Sequence, residues 1–288
     1  HRRRRRHITH RGRAMSVVWV DGVLVDEREA RVSPFDHGLL TGDGVFETMK
    51  VVRGQAFAAR RHLDRLARST AGMRLPCPPR ETVLAAMADV IAANGRDAGR
   101  LRVTVTGGPG ALGSDRAAVE PTVIVAGGPL PAWPAAADVA VAPWPRNERG
   151  ALTGIKSVSY GENVVALAYA RDRHAGEAVL ANLAGNLCEG TGTNVFLALG
   201  GRLVTPPLSA GCLAGVTREL VMELVDVVED DVPMDALAHA DEAFLTSSTR
   251  DVQPIRSVDG YRLATCPGPL TEGAGTAFKA LVERDLDP

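Results

Sequence analysis

"EAVLANLAGNLCEGTGTNVFLALGGRLVTPP", residues 177–207, decides what kind of sheet this chain builds. Its apolar runs are of strand length and are broken by small residues at Ala184–Asn186 and again at Leu199–Gly201. That pattern reads as three strands joined by tight turns. Successive strands with so little chain between them pair antiparallel, because a parallel partner needs a crossover of a dozen residues or more. Working outward, 16–24 and 44–52 read as strands, with the turn-rich "SPFDHGLLTGDG" between them. Helical spacing over 59–73 and 79–94 is followed by strands at 100–108 and 121–128 around a glycine-rich loop. "GGPLPAWPAAAD", 127–138, reads as an interdomain linker. Beyond it come a strand in 139–145, a helix over 160–176 ending at Gly176, and a helix over 216–228. A strand at 242–248, a hairpin over 251–263 and a closing helix over 268–286 complete the chain. Hairpins outnumber βαβ units, so the expected fold is α+β, two mixed-sheet domains with flanking helices at 15–130 and 131–288, rather than a Rossmann sheet.

Of 288 residues, 45% are hydrophobic and 23% charged, enough to bury a sizeable core. No run of about 18 apolar residues offers a membrane span. Cys77, Cys188, Cys212 and Cys266 lie far apart, without metal-ligand spacing, so neither a metal nor a disulfide framework is expected and a reducing cytoplasm is. The opening "HRRRRRHITHRGRA", 1–14, carries seven arginines and no acid. It is read as a basic tail, disordered or not native, ahead of a start at Met15. Setting it aside leaves 26 basic against 34 acidic residues, a net charge of −8, which disfavours nucleic acid as a partner.

Thirty of the 33 basic residues are arginine; only Lys50, Lys156 and Lys279 are lysine. A guanidinium stays protonated, whereas a desolvated amine sheds its proton and attacks carbonyls. Lys156, after the apolar "ALTGI", is therefore the candidate nucleophile, against the plainer reading of a solvated surface cation. Glu189 stands at a strand end among small residues, where a buried carboxylate needs a cationic partner such as a pyridinium nitrogen; the plainer reading is an exposed turn glutamate. Gly215, Val216 and Thr217 open a helix whose backbone N–H groups suit a phosphate, although ordinary N-capping uses the same residues. Ser247, Ser248 and Thr249 add hydroxyls at another strand end, and Arg65 could clamp the phosphate. Amine, ring-nitrogen partner and phosphate cradle are the anchors of pyridoxal 5′-phosphate (PLP).

Six motifs then fall in register: "DHGLLTGDGVFETMK" (36–50), "HLDRL" (62–66), "GIKSVSY" (154–160), "EGTGTNVF" (189–196), "TPPLSAGCLAGVTREL" (205–220) and "TSSTRDVQPI" (246–255). With them the chain resembles the class IV aminotransferases of PLP fold type IV, from about Val18 to Val282. That group includes branched-chain and D-amino-acid aminotransferases and 4-amino-4-deoxychorismate lyase. The resemblance implies Lys156 as Schiff-base lysine and proton shuttle, Glu189 as acceptor from the pyridine nitrogen, and Tyr160 beside the ring hydroxyl. It implies Arg65, Val216, Thr217 and Ser248 on the phosphate, Asn194 ordering the loop behind the ring, and a homodimer with its site between two domains.

Within the family the residues divide. Thr48, where branched-chain enzymes usually carry glycine, leans toward the lyase or D-amino-acid branches. "VTGGPGALGS" (105–114) resembles the loop of Gram-positive-type lyases, with Gly107 and Leu112 where the enteric type has arginines. "RSVDG" and "CPGPLT" resemble branched-chain aminotransferases, and Thr41 replaces an aromatic residue. The reading ranks the lyase, releasing pyruvate and 4-aminobenzoate for folate synthesis, ahead of an aminotransferase of branched-chain or D-amino acids. A non-catalytic PLP carrier stands third. His37 is read as structural or pocket-lining, His62 as helix surface, Cys188 as a buried apolar residue, and Arg218 as packing or pairing at its helix start.

Overall fold

The structure, a computed structural model, describes residues 16–95, 98–116 and 120–288. The basic tail lies outside the described residues.

The first sheet contains β1 (Val17–Val20), β2 (Val23–Asp26), β3 (Gly44–Val52), β4 (Gln55–Ala56), β5 (Arg100–Thr106) and β6 (Val123–Gly128). They are ordered β2-β1-β6-β5-β3-β4 and every pair is antiparallel. The single strand expected over 16–24 is a hairpin. Asp21 (φ 45°) and Gly22 (φ 99°) both take left-handed backbone, which the tightest hairpin turn requires. After the short α1 (His37–Leu40), helices α2 (Ala59–Gly72) and α3 (Arg80–Asn94) cover one face of this sheet. Leu63 and Leu66 of α2 and Val83, Met87 and Val90 of α3 interlock with Val45, Met49, Leu101, Val103 and Val125. The period-2 rule that sends Val45 and Met49 of β3 into this core sends Glu47 there too, and turns Phe46 to the opposite face.

The second sheet holds β7 (Ala137–Val141), β8 (Glu177–Ala181), β9 (Leu187–Gly190), β10 (Asn194–Leu199), β11 (Arg202–Thr205), β12 (Val228–Glu229), β13 (Glu242–Ser247), β14 (Asp251–Val258) and β15 (Tyr261–Arg262). Its order is β12-β11-β10-β13-β14-β7-β8-β9, with β15 on β14. Residues 177–207 thus form four strands, not three, because Thr191–Thr193 break the second apolar run. This order forces a shape. In a flat sheet β9 and β10 would stand five strand spacings apart, about 24 Å. Yet the chain from Gly190 to Asn194 spans at most about 14 Å. The sheet therefore curls until β9 runs straight into β10, and the "GTGT" turn sits at the mouth of the curl.

Helices α4 (Gly161–Asp172), α5 (Val216–Leu224) and α6 (Pro269–Arg284) flank this sheet. Phe196 and Phe244 stack at 4.7 Å beneath Val216 and Leu220 of α5 and Phe278 of α6. Two helix ends differ from expectation. α4 stops at Asp172 with His174 (φ 59°) as its left-handed residue, while the Gly176 N–H donates to Asp138 O. α5 stops at Leu224, and 228–229 leave it to pair with β11. The linker is tied down: Arg250 lies 3.8 Å over the Trp133 ring and Gln253 donates to Pro134 O.

Candidate active site

The two sheets meet around residues 156–158. The Phe46 N–H donates to Lys156 O (2.9 Å) and the Val158 N–H to Gly44 O (2.8 Å), so the lysine backbone is held along β3. The chain can come this close because Gly44 has no side chain; a Cβ there would lie 3.1 Å from the Val158 side chain, and 2.7 Å from Val105 O on the neighbouring strand. So fixed, Lys156 lines a cavity of about 490 Å³. What surface the side chain keeps is cavity wall, and its Nζ lies 4.4 Å from the centre of the Phe46 ring. Among the described residues Nζ has no hydrogen-bond or ion-pair partner. Burial, reinforced by the Arg65 and Arg102 charges against Glu47 and Glu189, lowers the amine to about 8.

Glu189, at the end of β9, faces the same cavity. Its Oε1 lies 3.1 Å from Arg146 Nε, and its Oε2 accepts the Leu213 N–H at 2.9 Å. Burial still pushes its carboxyl above the usual range despite Arg146, Leu213 and the nearby Lys156. Arg146 also donates to Asn163, which in turn donates to Thr191 O, so α4 and the "GTGT" turn are braced together. The Tyr160 ring meets Phe46 edge-on at 5.2 Å, and burial together with Glu189 keeps its hydroxyl protonated and able to donate.

On another wall stand Arg65, Gly215, Thr217 and Ser248. The Arg65 guanidinium grips Glu47 with two hydrogen bonds (2.8 and 2.7 Å) and donates through Nη1 to Ala214 O. Burial alone would raise Glu47, yet Arg65 and His62 outweigh it and hold the carboxyl at about 2. Asn194 donates to Leu213 O (2.9 Å), and its Oδ1 occupies the space a side chain on Gly215 would need. An alanine Cβ there would fall 2.0 Å from that oxygen, although the φ of −72° suits any residue. Gly215→Ala is therefore expected to cost about 1–3 kcal/mol by overpacking and to weaken cofactor binding; an unchanged melting temperature and affinity would contradict this.

Of the eight residues named from sequence, Arg65, Lys156, Tyr160, Glu189, Asn194, Thr217 and Ser248 all line this cavity. Val216 does not: its side chain packs in the core with Leu220 and Phe244, leaving its backbone at the helix start. Sequence reasoning missed Phe46, Glu47, Arg102 and Arg146, and it misplaced His62, which is buried rather than on the helix surface. The signal was available: His62 lies three residues before Arg65, on the same face of α2. Cys188 is buried as expected; His37, read as structural or pocket-lining, is buried with Nε2 2.9 Å from Ala111 O and does not line the cavity; Arg218 pairs with Glu229 and Pro206 O.

Residues 44–258 match the family of class IV aminotransferases. The branched-chain-amino-acid aminotransferase of Pseudomonas aeruginosa is 31% identical over 290 residues, covering 92% of each chain. The D-alanine aminotransferase of Bacillus licheniformis is 30% identical over 271 residues, covering 91% of this chain and 95% of its own. Among solved structures, the branched-chain aminotransferase of Thermoproteus uzoniensis with norvaline superposes with a TM-score of 0.84 at 29% identity, covering 93% of this chain and 95% of that one. The Escherichia coli branched-chain enzyme does so at 0.86 and 28%, covering 93% and 94%.

Fold and cavity together define a PLP-dependent enzyme of the α+β type. The chain belongs to the class IV aminotransferase family. The lyase ranked first from sequence gains no support from these relatives, which favour the aminotransferase alternative. Among the described residues, no helix is long and apolar enough to cross a membrane.

Proposed function

We propose that this enzyme is an aminotransferase of small α-amino acids, branched-chain or D-configured, with a 2-oxo acid as amino acceptor. The observation that carries the reading is the buried amine of Lys156, without a hydrogen-bond or ion-pair partner among the described residues, sharing one cavity with the buried carboxylate of Glu189, which Arg146 and the Leu213 N–H hold in place. Those two features fit PLP, whose ring nitrogen brings a positive charge and whose aldehyde takes an amine. When bound, PLP supplies an electron sink for the charge left as the substrate Cα loses its proton.

The chain's own residues supply the rest. Lys156 Nζ holds the cofactor and moves the proton, a task suited to an amine poised at about 8. Glu189, braced by Arg146, would keep the ring nitrogen charged, and the Tyr160 hydroxyl would donate to the ring oxygen. Arg65, Thr217, Ser248 and the Val216 backbone would hold the phosphate, with Asn194 fixing the 213–215 loop. Arg102 is exposed and is not part of the cavity wall, but its charge acts on Lys156, and it would meet the substrate carboxylate from beside the wall. Its guanidinium lies 3.7 Å over the Phe46 ring shared with Lys156, and among the described residues only its Nε is hydrogen-bonded, to Thr104. In this reading residues 15–130 and 131–288 form the two domains flanking the site, and two chains assemble as a homodimer, which sedimentation checks.

The test is a half reaction. Mixed with L-valine, L-leucine or D-alanine, the PLP form is expected to release a keto acid and to need a second keto acid for turnover. Production of 4-aminobenzoate and pyruvate from aminodeoxychorismate, with no amino-acid reaction, would overturn it. Arg102→Met is expected to raise KM for the reacting amino acid about tenfold, the loss of one charge-assisted contact, while PLP affinity stays unchanged.

A further inference from the structure

A line of hydrogen bonds runs behind the phosphate wall of the cavity, and two of its members, His62 and Glu47, do not line that cavity. The Ser248 hydroxyl, at the end of β13, lies 3.4 Å from His62 Nε2. His62 Nδ1 lies 2.7 Å from Glu47 Oε2. Glu47 takes both hydrogen bonds of the Arg65 fork, and Arg65 reaches Ala214 O, two residues before the start of α5. Glu47 and His62 are almost wholly buried, at 0% and 1% exposure, so water does not compete for these bonds. Burial, with Glu47 opposing it, keeps the imidazole below its usual range and therefore neutral. With a single ring proton, directed at the ionised Glu47, Nε2 is left as an acceptor for the Ser248 hydroxyl.

We propose that His62 is a positioning residue of the phosphate cradle: through Glu47 and Arg65 on one side and Ser248 on the other, it locks α2, the start of α5 and the turn after β13 into one rigid anion-binding frame. The proposal rests on the reading above that this wall receives the cofactor phosphate. Three chain segments distant in sequence must hold their groups to a fraction of an ångström to meet one phosphate. Arg65 does not itself bond the Ser248 turn; among the described residues the imidazole of His62 links Glu47, and through it Arg65, to Ser248. An imidazole suits the task because its two nitrogens, on opposite edges of a flat ring, serve two segments at once.

The test compares apo-protein affinity for PLP with that for pyridoxal, which lacks the phosphate, by fluorescence titration. His62→Leu, which fills the space and removes both nitrogens, is expected to lower the PLP-to-pyridoxal affinity ratio about tenfold, the loss of hydrogen bonds to a charged group. His62→Gln, which can keep an N–H for Glu47, is expected to recover part of that loss. Ser248→Ala also removes a hydroxyl assigned to the phosphate, so it is expected to lower the ratio further when combined with His62→Leu; if the leucine variant does not fold, His62→Asn, too short to reach both Glu47 and Ser248, carries the same test. Equal weakening toward both ligands would make His62 a fold residue only and overturn the proposal. Thr217→Val separates the two levels. If it lowers the ratio while the His62 variants do not, the phosphate reading stands and this inference falls. If neither moves the ratio, the phosphate lies elsewhere and both fall.

Discussion

Lys156→Ala is expected to lose turnover by about a thousandfold or more, the scale set by removing a positioned proton-transfer group, and to retain no cofactor after borohydride treatment. The wild-type protein is expected to keep it as a mass addition on the peptide containing residue 156. The argument begins from the other two lysines. Lys50 is bonded to Asp251 at 2.6 Å and lies over Phe57 and Phe278, away from the cavity, and Lys279 is on α6. No other amine lines the cavity, so none can take over. Lys156→Arg is expected to be equally inactive, because a guanidinium keeps its proton at any pH the fold survives. The lowered amine fixes the sign of a pH effect. Only the unprotonated form attacks, so the rate of PLP attachment to apo protein should rise with pH and level off above about 8. An unfolded lysine titrates near 10.4. Between about 8 and that value the unfolded chain holds the extra proton, so this group's contribution makes the apo fold more stable as pH rises through the window. Turnover by Lys156→Ala at even a tenth of the normal rate would end the proposed mechanism.

How far this was legible in the sequence depended on whether the physics is local. The elements were, since β3, α2, α3, β5 and α6 follow from period 2 or 3.6 in the residues themselves. The turn at Asp21–Gly22 was missed because a short apolar run on both sides looks continuous unless the left-handed pair is recognised. The break at 191–193 was missed for the opposite reason: the fold needs the chain to jump between distant strands there, and nothing in "TGT" says how far. The cofactor anchors were legible because each carries chemistry in its residue type, an amine, a carboxylate or a helix start. Their partners were not. Arg146 is one of thirty arginines, and only the folded curl of the second sheet brings it to Glu189. Glu47 could have been found, because alternation places it between Val45 and Met49 on the core face and an acid there demands a cation. That demand names no partner; Arg65 and His62 emerge only when α2 is laid on the sheet.

Glu189→Gln is the second large effect, an expected fall in kcat of about a hundredfold, the order seen when one preorganised electrostatic contact to developing charge is removed. Glutamine keeps an oxygen for the Leu213 N–H, so the 213–215 loop should hold its place and PLP should still bind. What is lost is the negative charge that keeps the ring nitrogen protonated, while Arg146 remains beside the site with Asn163 as its close partner. The effect on stability separates this from simple damage. A carboxyl held above its usual range binds its proton more tightly in the fold than in the unfolded chain. In the apo protein the contribution of Glu189 therefore falls as pH rises from the ordinary carboxylate value to its folded one. A pyridinium nitrogen beside the carboxylate would offset part of that desolvation. At neutral pH the rise in melting temperature on adding saturating PLP should consequently be larger in the wild type than in Glu189→Gln, and apo Glu189→Gln should melt no lower than apo wild type. A variant that melts well below the wild type without PLP, yet gains as much from it, would show that the carboxylate serves Arg146 and the loop rather than the ring.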